Sequence, residues 1–447
     1  MENIDQWQVE GGIELNEQFR EVLNLLEHTK QSVFITGRAG SGKTSLLKIF
    51  KNNTKKRHVV VAPTGQSAIM ASGQTIHSLF RFPPQIIFKN IIHSLKGDTL
   101  FKKLDTLIID EISMVRADLL DGIDTFLRLN GPDYNKPFGG VQVVLVGDLY
   151  QLPSFIGKES NEVFYKMYKS TFFFDSNIFK EANFKCIELK KMFRQTDPKF
   201  LNLLEKIRTN KMEKEDFDEI NKQYTPFIER DLSHKYVTIT TINEVARNIN
   251  LSKMEKLTTP EFTYTAKVEG LFKPENFPCD EILKLKVGTQ VIFNKNDGEK
   301  RWVNGTLGTI SYLSKNTVNV EVETSQGNIS YTVSPETWES IKYVSDPNSD
   351  KISVKKIGSF KQYPLRLAFA VTAHRIQGST FDYIDIHFGH GSFASGQTYT
   401  ILSRCRTLEG IKLLKKLEPK DIIVDPLVEN FIKEYVEKSV DNNQDVF

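Results

Sequence analysis

At 447 residues the chain exceeds what one ordinary core holds, so two to four domains are expected. Charged residues at 26% and hydrophobic ones at 39% fit a globular chain, and a net charge of +3 argues against a basic-tail protein while leaving room for a local basic channel. Cys186, Cys279 and Cys405 stand alone, giving neither a disulfide framework nor zinc-ligand spacing, and no apolar run approaches membrane-spanning length. The opening MENIDQWQVEGG carries neither an apolar signal core nor an Arg-rich transit pattern. The expected setting is therefore cytoplasmic, and nucleoid-associated in a bacterium.

In chain order, SVFIT (32–36), HVVVA (58–62), TLIID (106–110) and VQVVLVGD (141–148) are near-continuous in Val, Ile and Leu, as strands buried on both faces should be. Helical patterns between them predict a doubly wound α/β core, whose ligands bind outside the carboxyl ends of the strands. The first such end, TGRAGSGKTS, is a phosphate-binding loop with Gly37, Ala39, Gly40, Ser41, Gly42, Lys43 and Thr44. Its glycines let backbone N–H groups wrap phosphates, Lys43 reaches the β- and γ-phosphates, and the Thr44 hydroxyl ligates Mg²⁺. At the third end Asp110 is expected to hold Mg²⁺ and Glu111 to deprotonate an attacking water. At the fourth, LVGDLYQLPSF, Gln151 either bonds the γ-phosphate or attacking water, or belongs to an Asp-initiated turn closed by Pro153. The expected cofactors are ATP and Mg²⁺.

No second GK[ST] loop follows residue 150, so there is one ATP site. KCIELK (185–190), KYVTITT (235–241) and YIDIHFG (383–389) suggest strands of a second α/β sheet. Between residues 290 and 360, GTQVIF, GTLGTISYL, TVNVEVET and GNISYTVS alternate at period two with Asn-Gly and Gln-Gly turns, predicting an inserted antiparallel β-barrel. AVTAHRIQGST (370–380) begins like a buried helix, exposes His374, Arg375 and Gln377, and breaks at Gly378.

These blocks resemble the Pif-type (petite integration frequency) helicases of superfamily 1, with RecD-type enzymes as nearest relatives. The likeness rests on APTGQSAIMASGQTIHSLF (62–80), DEISMV followed by PFGGVQVVLVGDLYQLP, KMFRQTD (191–197), WVNGTLG (302–308), AHRIQGSTFD and TYTILSRCRT (398–407), in that order across residues 15 to 415. His374-Arg375 stands where the family often has His-Lys, and QLPS where it has QLPP. The resemblance implies two RecA-like P-loop NTPase-type parallel-sheet cores with a small all-β barrel inserted in the second. The expected boundaries are 1–175 for the first core with a wedge-like insertion near 64–85, 176–289 and 361–430 for the second, 290–360 for the barrel, and 431–447 for a C-terminal helix and tail.

The same resemblance implies an ATP-dependent DNA helicase moving 5′ to 3′ on single-stranded DNA and unwinding forked or tailed duplexes in replication, repair, recombination or telomere maintenance. Guanine quadruplexes and RNA–DNA hybrids are further possible substrates, and the protein is expected to be monomeric without DNA. Gln18 would read the adenine edge. Arg194 and Arg404 would reach the ATP cleft from the second half and offset transition-state charge, whereas Arg406 is expected to be a surface ion-pair partner. Pro63, Thr64, Gly65 and His77 would position DNA phosphates. Phe80 and Phe82 would either stack on bases or wedge strands apart, or be core. The KKR run at 55–57 reads as a solvated loop. Thr372, His374 and Ser379 would hold the strand, with Gln377 and Gly378 toward the nucleotide. Two other classes remain open: a P-loop ATPase remodelling protein complexes, and a nucleotide-gated DNA-binding module that does not unwind. The arginines supplied by the same chain argue against the first, and Glu111 and Gln151 against the second.

Overall fold

The computed structural model of the chain describes residues 4–9, 15–157, 161–225, 236–324, 327–345, 351–376, 378–389 and 391–437. In the first half, strands β1 (Val33–Gly37), β2 (His58–Ala62), β3 (Gln74–Thr75), β4 (Thr106–Ile109), β5 (Gln142–Val146) and β6 (Lys185–Leu189) form one parallel sheet in the order β3-β2-β4-β5-β1-β6. Every residue of β1, β4 and β5 is buried, which is why their sequences run apolar without alternation. Helix α1 (Glu17–His28), capped by the Asn16 side chain, precedes β1. Helix α2 (Lys43–Asn53) follows it, and α3 (Gly65–Met70) follows β2 with Thr64 and Ser67 in a reciprocal capping box.

Two expectations change here. KCIELK is not a strand of the second sheet: β6 pairs in parallel with β1 from Val33↔Lys185 to Gly37↔Leu189, so the first sheet runs past residue 175. Nor is 64–85 a separate wedge. Its β3 extends the main sheet, and the ring of Phe80 is packed among Phe82, Phe101 and Phe126 at centroid distances of 5.6, 5.9 and 5.2 Å. Phe80 is 1% exposed and Phe82 8%. Burying each ring contributes about 2–3 kcal/mol, so both are core residues rather than base-stacking platforms.

The second core is a four-stranded parallel sheet, β18-β7-β19-β20, made of β7 (Val237–Thr240), β18 (Ala370–Thr372), β19 (Ile384–His387) and β20 (Ile411–Leu413). The AVT of AVTAHRIQGST is therefore a strand, followed by a 3₁₀ turn at Ala373–Ile376, rather than a helix. Between β7 and β18 lies an all-β insert: β8 (Phe262–Thr265), β9 (Lys267–Gly270), β10 (Ile282–Leu285), β11 (Gln290–Phe293), β12 (Leu307–Leu313), β13 (Val318–Thr324), β14 (Gly327–Val333), β15 (Glu336–Ser345), β16 (Ile352–Gln362) and β17 (Leu365–Leu367). They form an open five-stranded sheet β14-β13-β12-β11-β17, a three-stranded sheet β15-β16-β9 and a pair β10-β8, all antiparallel. The insert thus spans more than 290–360, and among the described residues its largest sheet does not close into a barrel.

The chain end returns to the first core. Phe431 stacks on Phe174 at 4.3 Å and touches Phe34, Phe173 and Phe179, while the Tyr435 hydroxyl donates to Phe184 O.

Candidate active site

The carboxyl edge of the first sheet, the segment at Phe193–Arg194 and two loops of the second core enclose a cavity of about 420 Å³. Its floor is the loop between β1 and α2. Gly40 (φ +91°) passes so close to the second half that a Cβ there would stand 2.6 Å from Arg194 Cβ, and Gly42 (φ +89°) caps α2 in a conformation that disfavours other residues. Lys43 begins α2 and donates to Gly37 O (2.6 Å) and Arg38 O (3.0 Å), so its ammonium lies within the loop. Burial lowers its pKa, opposed by the carboxylates of Asp148 and Glu111. Thr44 lines the same cavity beside Asp110.

Asp110 follows β4 and accepts from the Glu111 N–H (2.9 Å). Glu111 sits at φ +52°, ψ +48°, a left-handed conformation that costs about 1–2 kcal/mol for a non-glycine residue. Burial first and Asp110 second push its carboxyl up to about 7, giving it the basicity to take a proton from water at neutral pH. Gln151 donates to Asp148 Oδ2 (3.1 Å) and accepts from Arg404 Nη2 (3.3 Å). Its own N–H closes a turn on Asp148 O (3.1 Å), so the turn and the cavity-facing side chain coexist. Arg404 lies just beyond the helix Gln397–Leu402, not within it, and is 2% exposed. Arg194 donates to Ser403 O (3.1 Å), and burial with Arg404 nearby lowers its pKa to about 9. Neither guanidinium has a carboxylate at ion-pair distance among the described residues. A buried and a half-buried guanidinium, mutually repelling and facing one cavity, call for a polyanion. Arg406, half-exposed at the rim, pairs with Asp382 (3.1 Å).

Residues 14–218 match the family model of PIF1-like helicases. The chain is 28% identical to the ATP-dependent DNA helicase Pif1 of Bdellovibrio bacteriovorus, over 95% of this chain and 92% of that protein. It superposes on Bacteroides sp. Pif1 in complex with ADP-AlF4 with a TM-score of 0.86 at 37% identity, covering 95% of this chain and 98% of the other. The chain belongs to the PIF1-like helicase family. On Bacteroides Pif1 bound to ssDNA, at the same identity and coverage, the TM-score is 0.68. The chain thus superposes more fully on the first of these structures than on the second.

For a PIF1-like helicase the remaining expectations sort unevenly. Gln18 does not line the cavity: its amide donates to Glu188 O (2.8 Å) and accepts from the Lys190 N–H (3.0 Å), so β6 and the residue after it hold both groups that a base edge would need. Phe193, unassigned from sequence, does line it and tilts against Phe19 at 6.1 Å. Its place beside Arg194 in KMFRQTD was the available signal. Pro63 and Thr64 leave the end of β2, and Thr64 and Gly65 border a second cavity of about 310 Å³ that shares Thr44, Met70, Asp110, Glu111 and Gly378 with the first. Gly378 (φ +85°) therefore stands in the wall between them.

The Asn276 side chain presses on Gly65, where a Cβ would be 1.9 Å from its Oδ1. Thr64 Oγ1 is engaged in the α3 cap (3.2 Å from Ser67 N), and His77 lines neither cavity. Ser379 is buried against Gly305 rather than open to a strand. Thr372 is buried, its Oγ1 without a partner among the described residues, at the wall of a third cavity of about 360 Å³ shared with Arg247, Arg366 and Arg375. Gln377 and the His374 side chain lie outside the described residues.

Proposed function

We propose that this ATP-dependent DNA helicase moves 5′ to 3′ along single-stranded DNA, unwinding forked or tailed duplexes as ATP closes and hydrolysis reopens the cleft between its two cores. The observation that carries the reading is the composition of the cleft: Lys43, Glu111 and Gln151 come from one core, Arg404 from the other, and Arg404 already meets Gln151. ATP in such a site draws the cores together, because each supplies charge the triphosphate needs. Glu111 takes the proton from the attacking water, while Lys43, Arg194 and Arg404 offset charge on the phosphoryl oxygens. A hard cation fits the donors present: the Thr44 hydroxyl and the Asp110 carboxylate line one cavity, and burial raises the Asp110 pKa, a cost that a bound cation relieves. Mg²⁺ held there would neutralise the β- and γ-phosphates.

The strand's path runs over the second and third cavities. Arg375 borders both, and Thr372, Arg247 and Arg366 add donors to the third, where Asp280 is the one carboxylate among the described lining residues, while Asp110, Glu111 and Glu275 line the second. Such contacts hold a backbone without reading sequence. Strand displacement on matched duplexes carrying either a 5′ or a 3′ single-stranded tail tests the reading. Unwinding of the 5′-tailed substrate alone is expected; unwinding only from the 3′ tail overturns the polarity, and ATP hydrolysis that does not rise with single-stranded DNA overturns the motor.

A further inference from the structure

Between the cores runs a polar seam that the arginines do not account for. Tyr399, on the helix Gln397–Leu402 of the second core, is 4% exposed. Its hydroxyl accepts from the Ala39 N–H of the phosphate loop (2.9 Å) and donates to Asp148 Oδ2 (3.2 Å). The same carboxylate oxygen accepts from Gln151 Nε2, and the other faces Arg208 Nε at 3.8 Å. Arg208 is itself buried and lies 4.3 Å over the Tyr150 ring. Burial pushes the Tyr399 phenol well above its usual range, so the hydroxyl keeps its proton and Asp148 is the acceptor.

The seat of this tyrosine is tightly made. Gly396, at the start of its helix, has φ +70°, and a Cβ there would stand 2.2 Å from Tyr150 O and 2.7 Å from Gln151 O. Glycine lets the helix of one core lie directly on the 148–151 turn of the other.

We infer that Tyr399 is a positioning residue that carries the set of the phosphate loop to the second core by a route separate from Arg194 and Arg404. The arginines face the cavity and respond to charge within it. Tyr399 instead responds to geometry: one hydroxyl of the second core bridges a loop amide and a turn carboxylate of the first. Hydrogen bonds weaken steeply with misalignment, so both bonds hold in one arrangement of the cores and fail together in another. An element with two discrete arrangements, biased from both sites, is what coupling between nucleotide and DNA requires. The inference rests on the motor reading above.

The test measures coupling itself: the factor by which a saturating non-hydrolysable ATP analogue with Mg²⁺ changes the affinity for a fluorescein-labelled oligo-dT. Tyr399→Phe keeps the ring and removes the hydroxyl. Its coupling factor is expected to fall by about fivefold or more toward one, with kcat of DNA-stimulated hydrolysis falling more than KM for ATP rises. Gly396→Ala keeps the hydroxyl but displaces its helix, and should lower the same factor. A Tyr399→Phe protein with wild-type melting temperature and wild-type coupling overturns the inference. Where Tyr399→Phe does not fold, undiminished coupling in Gly396→Ala does so instead. A wild type whose DNA affinity ignores nucleotide removes the motor reading and this inference with it, whereas a coupled wild type with insensitive variants removes this inference alone.

Discussion

The two parallel sheets of this chain end in different chemistry at the same architectural place. At the carboxyl edge of the first, glycine-bearing backbone and acidic side chains converge: the β1–α2 loop, Asp110 and Glu111, and the Asp148–Gln151 turn. At the edge of the second no such loop occurs among the described residues. Thr372 ends β18 and Thr241 follows β7, each with a buried hydroxyl that has no partner among the described residues, and arginines gather nearby. The contrast teaches a division of labour. On the proposed function, the first edge would hold a triphosphate and perform chemistry on it, and the second would contribute cations to that site while gripping another phosphate chain.

Three perturbations break or sharpen this division. Lys43→Ala should take ATP hydrolysis below detection and Arg404→Ala should lower kcat on the order of a thousandfold, each with single-stranded DNA affinity by fluorescence anisotropy within about twofold of wild type. Parallel loss of DNA affinity in both variants would erase the distinction between the edges. Arg366→Met, on the second edge, is expected to weaken oligo-dT binding about fivefold and to make log K against log salt shallower by about 0.7, the loss of one phosphate contact, with unstimulated ATP hydrolysis retained.

The smallest effect concerns stability. Burial lowers the pKa of His58 in β2, and of His77 beyond β3. The unfolded chain then binds protons that the folded chain resists, so stability is present above the unfolded value near 6.5 and is lost as pH falls from there toward the folded value. Melting followed between pH 7.5 and 5.5 should show a loss of roughly 1 kcal/mol that His58→Gln reduces.

Much of the catalytic edge was legible because its signals are local. Gly42-Lys43-Thr44 at fixed spacing after an apolar strand, and an Asp-Glu pair at the next, state their chemistry within a few residues. What the sequence concealed is nonlocal. Whether KCIELK joins the first or second sheet depends on which strand it lies beside, and nothing in six residues encodes that. Phe80 and Phe82 are ambiguous because an aromatic pair following a phosphate-contacting segment reads the same whether it faces DNA or Phe126. Strands β15 and β16 carry no period-two signal because their burial does not alternate cleanly. Gln18 carries a role by resemblance alone, and its hydrogen bonds to Glu188 and Lys190 exist only in three dimensions.

The returning chain end has a mechanical consequence. The second core leaves the first through residues 190–197 and comes back through Phe431 and Tyr435, which sit in the aromatic cluster of the first. A body hung from two points swings about the line joining them and cannot tumble freely. The length of each nucleotide-driven step is thus bounded by where the chain is pinned, as much as by what happens in the cleft.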